Sequence, residues 1–127
     1  MALNVLLVDD SVVMRKVITR ALRQAALGVG EVLEASDGVE ALAMLERSPK
    51  PDLVLCDWNM PNMNGIDFVI ASRAKGYHMP MLMVTTEGGK ERIQRALDAG
   101  ANGFVTKPFT PEKLAETLAP VLLACRT

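Results

Sequence analysis

The chain has 127 residues, of which 50% are hydrophobic, and its formal net charge at pH 7 is −1. This composition is typical of a soluble globular protein, and the length suits one domain of common size. Because there is no basic excess, DNA, RNA and anionic membrane surfaces are not expected as main partners.

The N-terminal sequence MALNVLLVDD does not predict a signal peptide, because it lacks a basic region and because Asp9 and Asp10 end a short apolar run. No apolar run in the sequence approaches the ~20 residues of a membrane span. The two cysteines, Cys56 and Cys125, fit no metal-binding spacing. These observations predict a reduced, cytoplasmic protein.

Short apolar runs alternate with longer helical patterns along the chain. The first strand is predicted over residues 4–8, and Ser11 is the expected N-cap of the helix that follows. The predicted buried face of this helix consists of Met14, Val17, Ile18, Ala21, Leu22 and Ala25. A second strand is predicted over residues 32–35, and Asp37 is the expected cap of a helix over residues 39–45.

The same alternation continues through the second half of the chain. Strands are predicted over residues 53–57, 81–85 and 103–106, and a third helix over residues 66–74. Thr110 is the expected N-cap of the last helix. Five strand–helix units with nearly all-apolar strands predict an α/β fold, a five-stranded parallel doubly wound sheet with five helices. No linker or repeat is visible, so we expect a single domain over residues 1–127.

The fourth helix, predicted over residues 88–99 and ended by Gly100, has a thin core-facing set. That set consists mainly of Ile93, Ala96 and Leu97. Such weak anchoring predicts low local stability. Two interpretations stay open, a weakly packed surface helix and a mobile switching element.

Polar side chains follow four of the five predicted strands. Asp9 and Asp10 end the first strand, Asp57 ends the third, Thr85 ends the fourth, and Lys107 follows the fifth. In open α/β sheets, ligands bind beyond the carboxyl ends of the strands, so we expect these side chains to lie together. A strand-end aspartate is often only a turn or cap residue, but here all three share one sheet edge with a lysine and a threonine.

Three carboxylates in one place repel each other by roughly 3 kcal/mol per pair at about 5 Å and an effective dielectric of about 20. Lys107 supplies one positive charge, and a divalent cation with oxygen ligands, Mg²⁺ in particular, would supply two. An aspartate can act as a nucleophile and form an aspartyl phosphate. The pattern therefore indicates phosphoryl transfer.

Four motifs carry a resemblance to a known family: LLVDDS at 6–11, DWNMPNMNG at 57–65, MVTTE at 83–87 and KPF at 107–109. Together they resemble the receiver domain of two-component response regulators, and most of all its stand-alone chemotaxis members. The resemblance spans essentially the whole chain and implies a flavodoxin-like sheet with strand order 2-1-3-4-5.

The resemblance implies a role for each matching residue. Asp57 would accept a phosphoryl group from a histidine kinase. Asp10, Asp57 and the backbone carbonyl of Asn59 would bind Mg²⁺ directly, with Asp9 acting largely through water. Lys107 would contact the phosphoryl oxygens.

Switching residues follow from the same resemblance. Thr85 would also contact the phosphoryl group, and phosphorylation would draw its hydroxyl inward so that the aromatic switch residue, Phe104, follows. The face formed by the fourth helix, fifth strand and last helix would then change its affinity for partners. Asn59, Thr86 and Glu87 would control access to the phosphoryl group, and water reaching it would make the phosphoaspartate short-lived. Phe104 stands where the best-known chemotaxis regulators have tyrosine, and it cannot donate a hydroxyl hydrogen bond.

The implied protein is a phospho-switch and not an enzyme, although it assists its own phosphorylation and dephosphorylation. Its expected partners are a histidine kinase, a separate downstream target such as the flagellar motor switch or another signalling protein, and a phosphatase. We expect a monomer with no nucleic-acid or membrane partner.

Alternatives to a chemotaxis switch stay open from the residues alone. One is a phosphorelay shuttle outside chemotaxis. Another is a Mg²⁺-dependent phosphatase with an aspartyl nucleophile, although such enzymes carry Asp-x-Asp after the first strand instead of the adjacent pair Asp9 and Asp10. A flavin carrier shares the predicted fold, but its phosphate loop would be rich in Ser, Thr and Gly, whereas this loop reads DDSVVM.

Three other residues receive no functional role. The single histidine, His78, is predicted to lie on the surface. Cys56 is predicted to be a core residue, since its side chain points to the sheet face opposite to that of Asp57. Trp58 is predicted to lie partly exposed over the site, where it would report Mg²⁺ binding by fluorescence.

Overall fold

Strands and helices alternate in a computed structural model of the protein, which describes residues 3–25, 27–47, 50–86, 89–107 and 109–125. The strands are Leu3–Val8 (β1), Val29–Ala35 (β2), Leu53–Asp57 (β3), Met81–Thr85 (β4) and Gly103–Thr106 (β5). The helices are Val12–Gln24 (α1), Gly38–Leu45 (α2), Gly65–Ala74 (α3), Lys90–Ala99 (α4) and Pro111–Cys125 (α5). Among the described helices, none combines the length and apolarity needed to cross a bilayer.

The five strands form one parallel sheet in the order β2-β1-β3-β4-β5. This result confirms the predicted fold class and strand order. The register pairs Val8 of β1 with Cys56 of β3, and Asp57 with Val84 of β4. Thr85, at the end of β4, pairs with Thr106 of β5. The carboxyl ends of β1, β3, β4 and β5 therefore meet at one edge of the sheet.

Each face of the sheet carries its own hydrophobic core, because successive strand residues point to opposite faces. Helices α2, α3 and α4 cover one face, where Phe68 and Leu45 are fully buried against Cys56 and its neighbours. Helices α1 and α5 cover the other, where Leu22 and Leu118 are fully buried. Full burial of one such side chain stabilises the fold by roughly 1.5–3 kcal/mol. Cys56 is thus a core residue, as predicted.

Side-chain caps define where several helices begin. Ser11, Asp37 and Thr110 each accept a hydrogen bond from the backbone N–H three residues later, at distances of 2.8–3.1 Å. These contacts confirm the three predicted caps, each of which contributes about 1 kcal/mol. Asn64 caps α3 in the same way at 2.9 Å, so this helix begins at Gly65, one residue earlier than predicted.

Two element boundaries differ clearly from the prediction. Strand β2 begins at Val29 instead of residue 32, because its pairing with β1 extends to Leu3. Helix α4 begins at Lys90, because Gly89 has a φ of 126°, which is not helical. Gly88, the predicted first residue of this helix, lies outside the described residues.

Two predicted core residues are exposed. Val17 of α1 is 52% exposed and Leu97 of α4 is 45% exposed, so both predictions were wrong. Ala96 is the buried residue of α4, which makes the helix even more thinly anchored than its sequence indicated. Low local stability is therefore expected for α4. His78 is exposed, as predicted.

Candidate functional site

Three carboxylates converge at the carboxyl edge of the sheet. Asp9 and Asp10 follow β1 directly, and Asp57 is the last residue of β3. One carboxylate oxygen from each lies within 4.8 Å of the other two, a spacing that a single cation can bridge. Asp9 is buried at 2% exposure, whereas Asp57 is half-buried and Asp10 is exposed. The cluster is thus open to solvent on the side of Asp10.

Lys107 enters this cluster from the loop after β5. Its Nζ lies 3.3 Å from Asp9 Oδ2 and 3.6 Å from Asp57 Oδ1, and its side chain is only 12% exposed. The backbone N–H of Lys107 donates to the carbonyl of Thr85 at 2.7 Å, which fixes the loop against β4. One ammonium group against three carboxylates leaves a net negative charge, so the site can accept a divalent cation.

Both carboxylate oxygens of Asp9 already have protein partners. Oδ1 accepts a hydrogen bond from the backbone N–H of Ser11 at 2.9 Å, and Oδ2 faces Lys107. The backbone N–H of Asp9 donates to the carbonyl of Ala35 in β2 at 3.0 Å. Asp9 is therefore held on all sides by the protein, which leaves Asp10 and Asp57 as the more available oxygen donors.

The pKa of the Asp57 carboxyl is raised above its ordinary value of 3.8, mainly because burial disfavours the charged form. The positive charge of Lys107 lowers this pKa, while the negative charge of Asp9 raises it. A hydrogen bond from the Trp58 backbone lowers it, and Asp10 raises it. The environment thus disfavours the charged form of Asp57, chiefly through burial.

The loop between β3 and α3 carries Asn59, two residues after Asp57. Asn59 is exposed, and the residue before it, Trp58, accepts a hydrogen bond from the Gly65 backbone at 2.9 Å. Asn62 adopts a positive φ of 66° and donates through Nδ2 to Asp37 Oδ2 at 2.7 Å. These contacts close the loop on itself and tie it to the start of α2.

Thr85 and Phe104 lie on the same face of the sheet. Phe104 pairs with Met83, and Thr85 lies two residues further along β4, so the alternation of strand residues points all three side chains toward α4. Thr85 is 3% exposed, and Phe104 is partly buried against the core on that side. Thr86 is exposed. The last of the predicted access residues, Glu87, lies outside the described residues.

Trp58 is more deeply buried than predicted. It is only 7% exposed, and the guanidinium carbon of Arg92 lies 4.9 Å from its ring centroid. The prediction of a partly exposed indole was therefore wrong, because Arg92 from the first turn of α4 covers the ring. The sequence carries no local signal for this contact, since it joins two elements that become neighbours only in the folded sheet.

Replacing Arg92 with methionine is expected to uncover Trp58. The cation–π contact contributes about 0.5–1 kcal/mol, and its loss should make the indole more accessible to acrylamide quenching. The matched control is Arg95→Met, which removes the same charge from an exposed position of the same helix. Equal quenching in the two variants would show that Arg92 does not shield the ring.

Comparison with known proteins identifies the family. The response regulator receiver domain family matches residues 5–119. A chemotaxis protein CheY homolog of Campylobacter jejuni is 48% identical over 122 residues, which cover 94% of this chain and 92% of that protein.

Two solved structures are also similar. Chemotaxis protein CheY4 of Vibrio cholerae has a TM-score of 0.84 at 41% identity, covering 95% of this chain and 99% of that one. CheY in the CheX–CheY–BeF3–Mg²⁺ complex of Borrelia burgdorferi has a TM-score of 0.85 at 29% identity, covering 94% and 88% of the two chains. The structural likenesses agree with the observed fold. The chain therefore belongs to the response regulator receiver-domain family and is a CheY-like signalling switch of the chemotaxis type.

Proposed function

We propose that the protein is a Mg²⁺-dependent phospho-switch in which Asp57 accepts a phosphoryl group from a histidine kinase. The observation that carries this proposal is the convergence of Asp9, Asp10 and Asp57 with Lys107 between two of them. This arrangement offers a nucleophile, a place for a cation and a fixed positive charge within one small site.

The residues present fit a magnesium ion. Carboxylate oxygens of Asp10 and Asp57 and the backbone carbonyl of Asn59 would hold it, and Asp9 would act through water because its own oxygens face Ser11 and Lys107. Oxygen-only ligands with some positions left to water are typical of Mg²⁺. When bound, Mg²⁺ neutralises negative charge on the phosphoryl oxygens.

In the proposed transfer, a carboxylate oxygen of Asp57 forms a bond to phosphorus as the bond between phosphorus and the donor imidazole nitrogen breaks. The imidazole leaves with the electron pair of that bond and takes a proton from solvent. Lys107 lies close enough to Asp57 to stabilise negative charge on the phosphoryl group. The Thr85 hydroxyl, at the end of the neighbouring strand, would bind a phosphoryl oxygen.

The proposed output runs from Thr85 to Phe104 and then to the face formed by α4, β5 and α5. Two observations support it: Thr85 and Phe104 share a sheet face, and α4 has Ala96 as its buried anchor. A helix held so weakly can shift when the residues beneath it move. We infer that this face binds a separate target protein, the flagellar motor switch or another signalling protein.

The return to the resting state is proposed to need water and a phosphatase. Asn59 and Thr86 are exposed beside the site, and with Glu87 they would set how easily water reaches the phosphoryl group. The relative from Borrelia burgdorferi forms a complex with CheX, BeF3 and Mg²⁺, which supports the proposal that this protein binds a cation and a second protein. We further infer a monomeric, cytoplasmic protein with one domain.

Intact-mass measurement tests the proposal directly. After incubation with Mg²⁺ and acetyl phosphate, the wild-type chain should gain one phosphoryl group, while Asp57→Asn should gain none. Asp67→Asn, the same substitution at an exposed position of α3, is the matched control and should behave like the wild type. Absence of any gain in the wild type would contradict the proposal, and steady turnover of phosphomonoesters would favour the phosphatase alternative.

A further inference from the structure

A half-buried arginine contacts the backbone at the acidic cluster without belonging to the cluster. Arg15 is in the first turns of α1, and its side chain is only 13% exposed. One terminal nitrogen of its guanidinium donates a hydrogen bond to the backbone carbonyl of Asp9. Its Nε donates to Glu34 Oε1 at 2.9 Å, which fixes the guanidinium plane against the end of β2.

The Asp9 carbonyl belongs to the peptide group that joins Asp9 to Asp10. Because a peptide group is planar, a donor that holds this carbonyl also fixes the direction in which the chain continues to Asp10. The side chain of Asp10 is exposed, so neighbouring side chains do not enclose it. The backbone thus sets the direction of the Cα–Cβ bond from which the Asp10 carboxylate reaches the cluster.

The other contacts of Asp9 hold its side chain and its own N–H, and the bond from Ser11 closes the turn, but none of them binds the carbonyl of Asp9 itself. Ser11 and Lys107 bind the carboxylate, and Ala35 accepts from the N–H. Hydrogen bonds from a charged donor are shorter and stronger than those from a neutral one. Arg15 therefore supplies a charged donor to the backbone of the turn that presents Asp10, whereas Lys107 binds only the side chain of Asp9.

We propose that Arg15 is a positioning residue for the divalent cation, acting through the Asp9–Asp10 peptide. The inference rests on the proposed function in identifying that cation as Mg²⁺. Glu34 supports this role, since it holds the guanidinium in the orientation that reaches Asp9.

A Mg²⁺ titration followed by calorimetry tests the role of Arg15 in the full chain at about 0.15 M salt, which screens long-range charge effects. Arg15→Met should raise the dissociation constant roughly tenfold, because partners that orient metal ligands affect affinity by about 10–100-fold. Arg15→Lys should lose less Mg²⁺ affinity, since an ammonium can reach the Asp9 carbonyl but cannot bind Glu34 at the same time. Glu34→Gln should also show a smaller loss.

The matched control is Arg23→Met. Arg23 lies on the same helix and carries the same charge, but its guanidinium contacts the carbonyls of Val29 and Gly30, away from the cluster. The Mg²⁺ dissociation constant of Arg23→Met should stay within about twofold of the wild-type value, because Arg23 does not contact metal ligands. Equal losses in Arg15→Met and Arg23→Met would overturn the positioning role while leaving the proposed function intact.

Two further measurements keep the test decisive. Thermal unfolding without metal checks that each variant is folded, and if Arg15→Met is not, Arg15→Lys and Glu34→Gln decide the question. Hydrogen exchange of the Asp10 and Ser11 amides without metal should quicken in the Arg15 variants and not in Arg23→Met. Wild-type affinity in both Arg15→Lys and Glu34→Gln would overturn the inference. A wild-type chain that does not bind Mg²⁺ would overturn this inference and the proposed function together.

Discussion

Replacing Gly65 with alanine is expected to lower the free energy of unfolding by roughly 3 kcal/mol, the upper end of the range for an overpacked core site. A Cβ at this position would overlap the carbonyl oxygen of Asp57 and lie 2.5 Å from Met83 Cε. The methionine tip can move aside, but the carbonyl belongs to the end of β3. Urea denaturation of the two proteins measures the difference.

The matched control for this prediction is Gly76→Ala. Gly76 has a φ of 88° and no atom within 4 Å of an added Cβ, so its replacement costs only backbone strain of about 1–2 kcal/mol. If Gly65→Ala destabilises the protein no more than Gly76→Ala, the close approach at Asp57 is not rigid. Since relief of the overlap would displace Asp57, Gly65→Ala should also slow phosphoryl uptake from acetyl phosphate.

Asp57→Asn, although it removes the proposed phosphoacceptor, is expected to stabilise the fold by about 1–2 kcal/mol at neutral pH. Burial of the Asp57 carboxylate is the main cost of its charge, and repulsion by Asp9 and Asp10, roughly 3 kcal/mol per pair at about 5 Å, adds to that cost, while attraction to Lys107 offsets part of it. An asparagine removes the buried charge together with the repulsion and the attraction. Urea denaturation with a chelator present measures the effect without bound metal.

This stabilisation should depend on pH with a definite sign. The pKa of Asp57 is higher in the folded protein than its ordinary value of 3.8, mainly through burial, so the charged form destabilises the fold above the folded pKa. The advantage of Asp57→Asn should therefore be complete at pH 7 and shrink as the pH falls through the raised pKa toward 3.8.

Asp98→Asn is the control for this pH dependence, since Asp98 is exposed on α4 and its replacement should change stability by less than about 0.5 kcal/mol at either pH. Two results would contradict this prediction: an Asp57→Asn protein that is less stable than the wild type at pH 7, or a gain in the free energy of unfolding that is equal at pH 7 and pH 4. Either would show that the surroundings do not disfavour the charged carboxylate.

The sequence predicted strands best where the local pattern marks both ends. The bounds of β3, β4 and β5 agree with the prediction, because each is a short apolar run between turn residues. Strand β2 was predicted too short, since its first residues mix glycine and glutamate and owe their conformation to pairing with β1. The local amino-acid composition does not indicate this pairing, so the start of β2 could not be predicted from it.

Much of the candidate site could also be predicted, because the ends of parallel strands must meet. That rule alone places Asp9, Asp10, Asp57 and Lys107 together. It does not predict the contact of Arg15 with Asp9, because that contact depends on how a helix packs over the neighbouring strands. The packing of Arg92 on Trp58 was missed for the same reason.

The ion pair between Lys107 and Asp9 joins residues 98 positions apart in the chain. The cost of closing a long loop is met only when the intervening strands are in place, so such a contact forms late in folding. A nascent chain that lacks β5 would hold three carboxylates without their lysine, and mutual repulsion would keep them apart. Asp57 could thus be phosphorylated only once β5 has joined the sheet, so a chain still being synthesised would not signal.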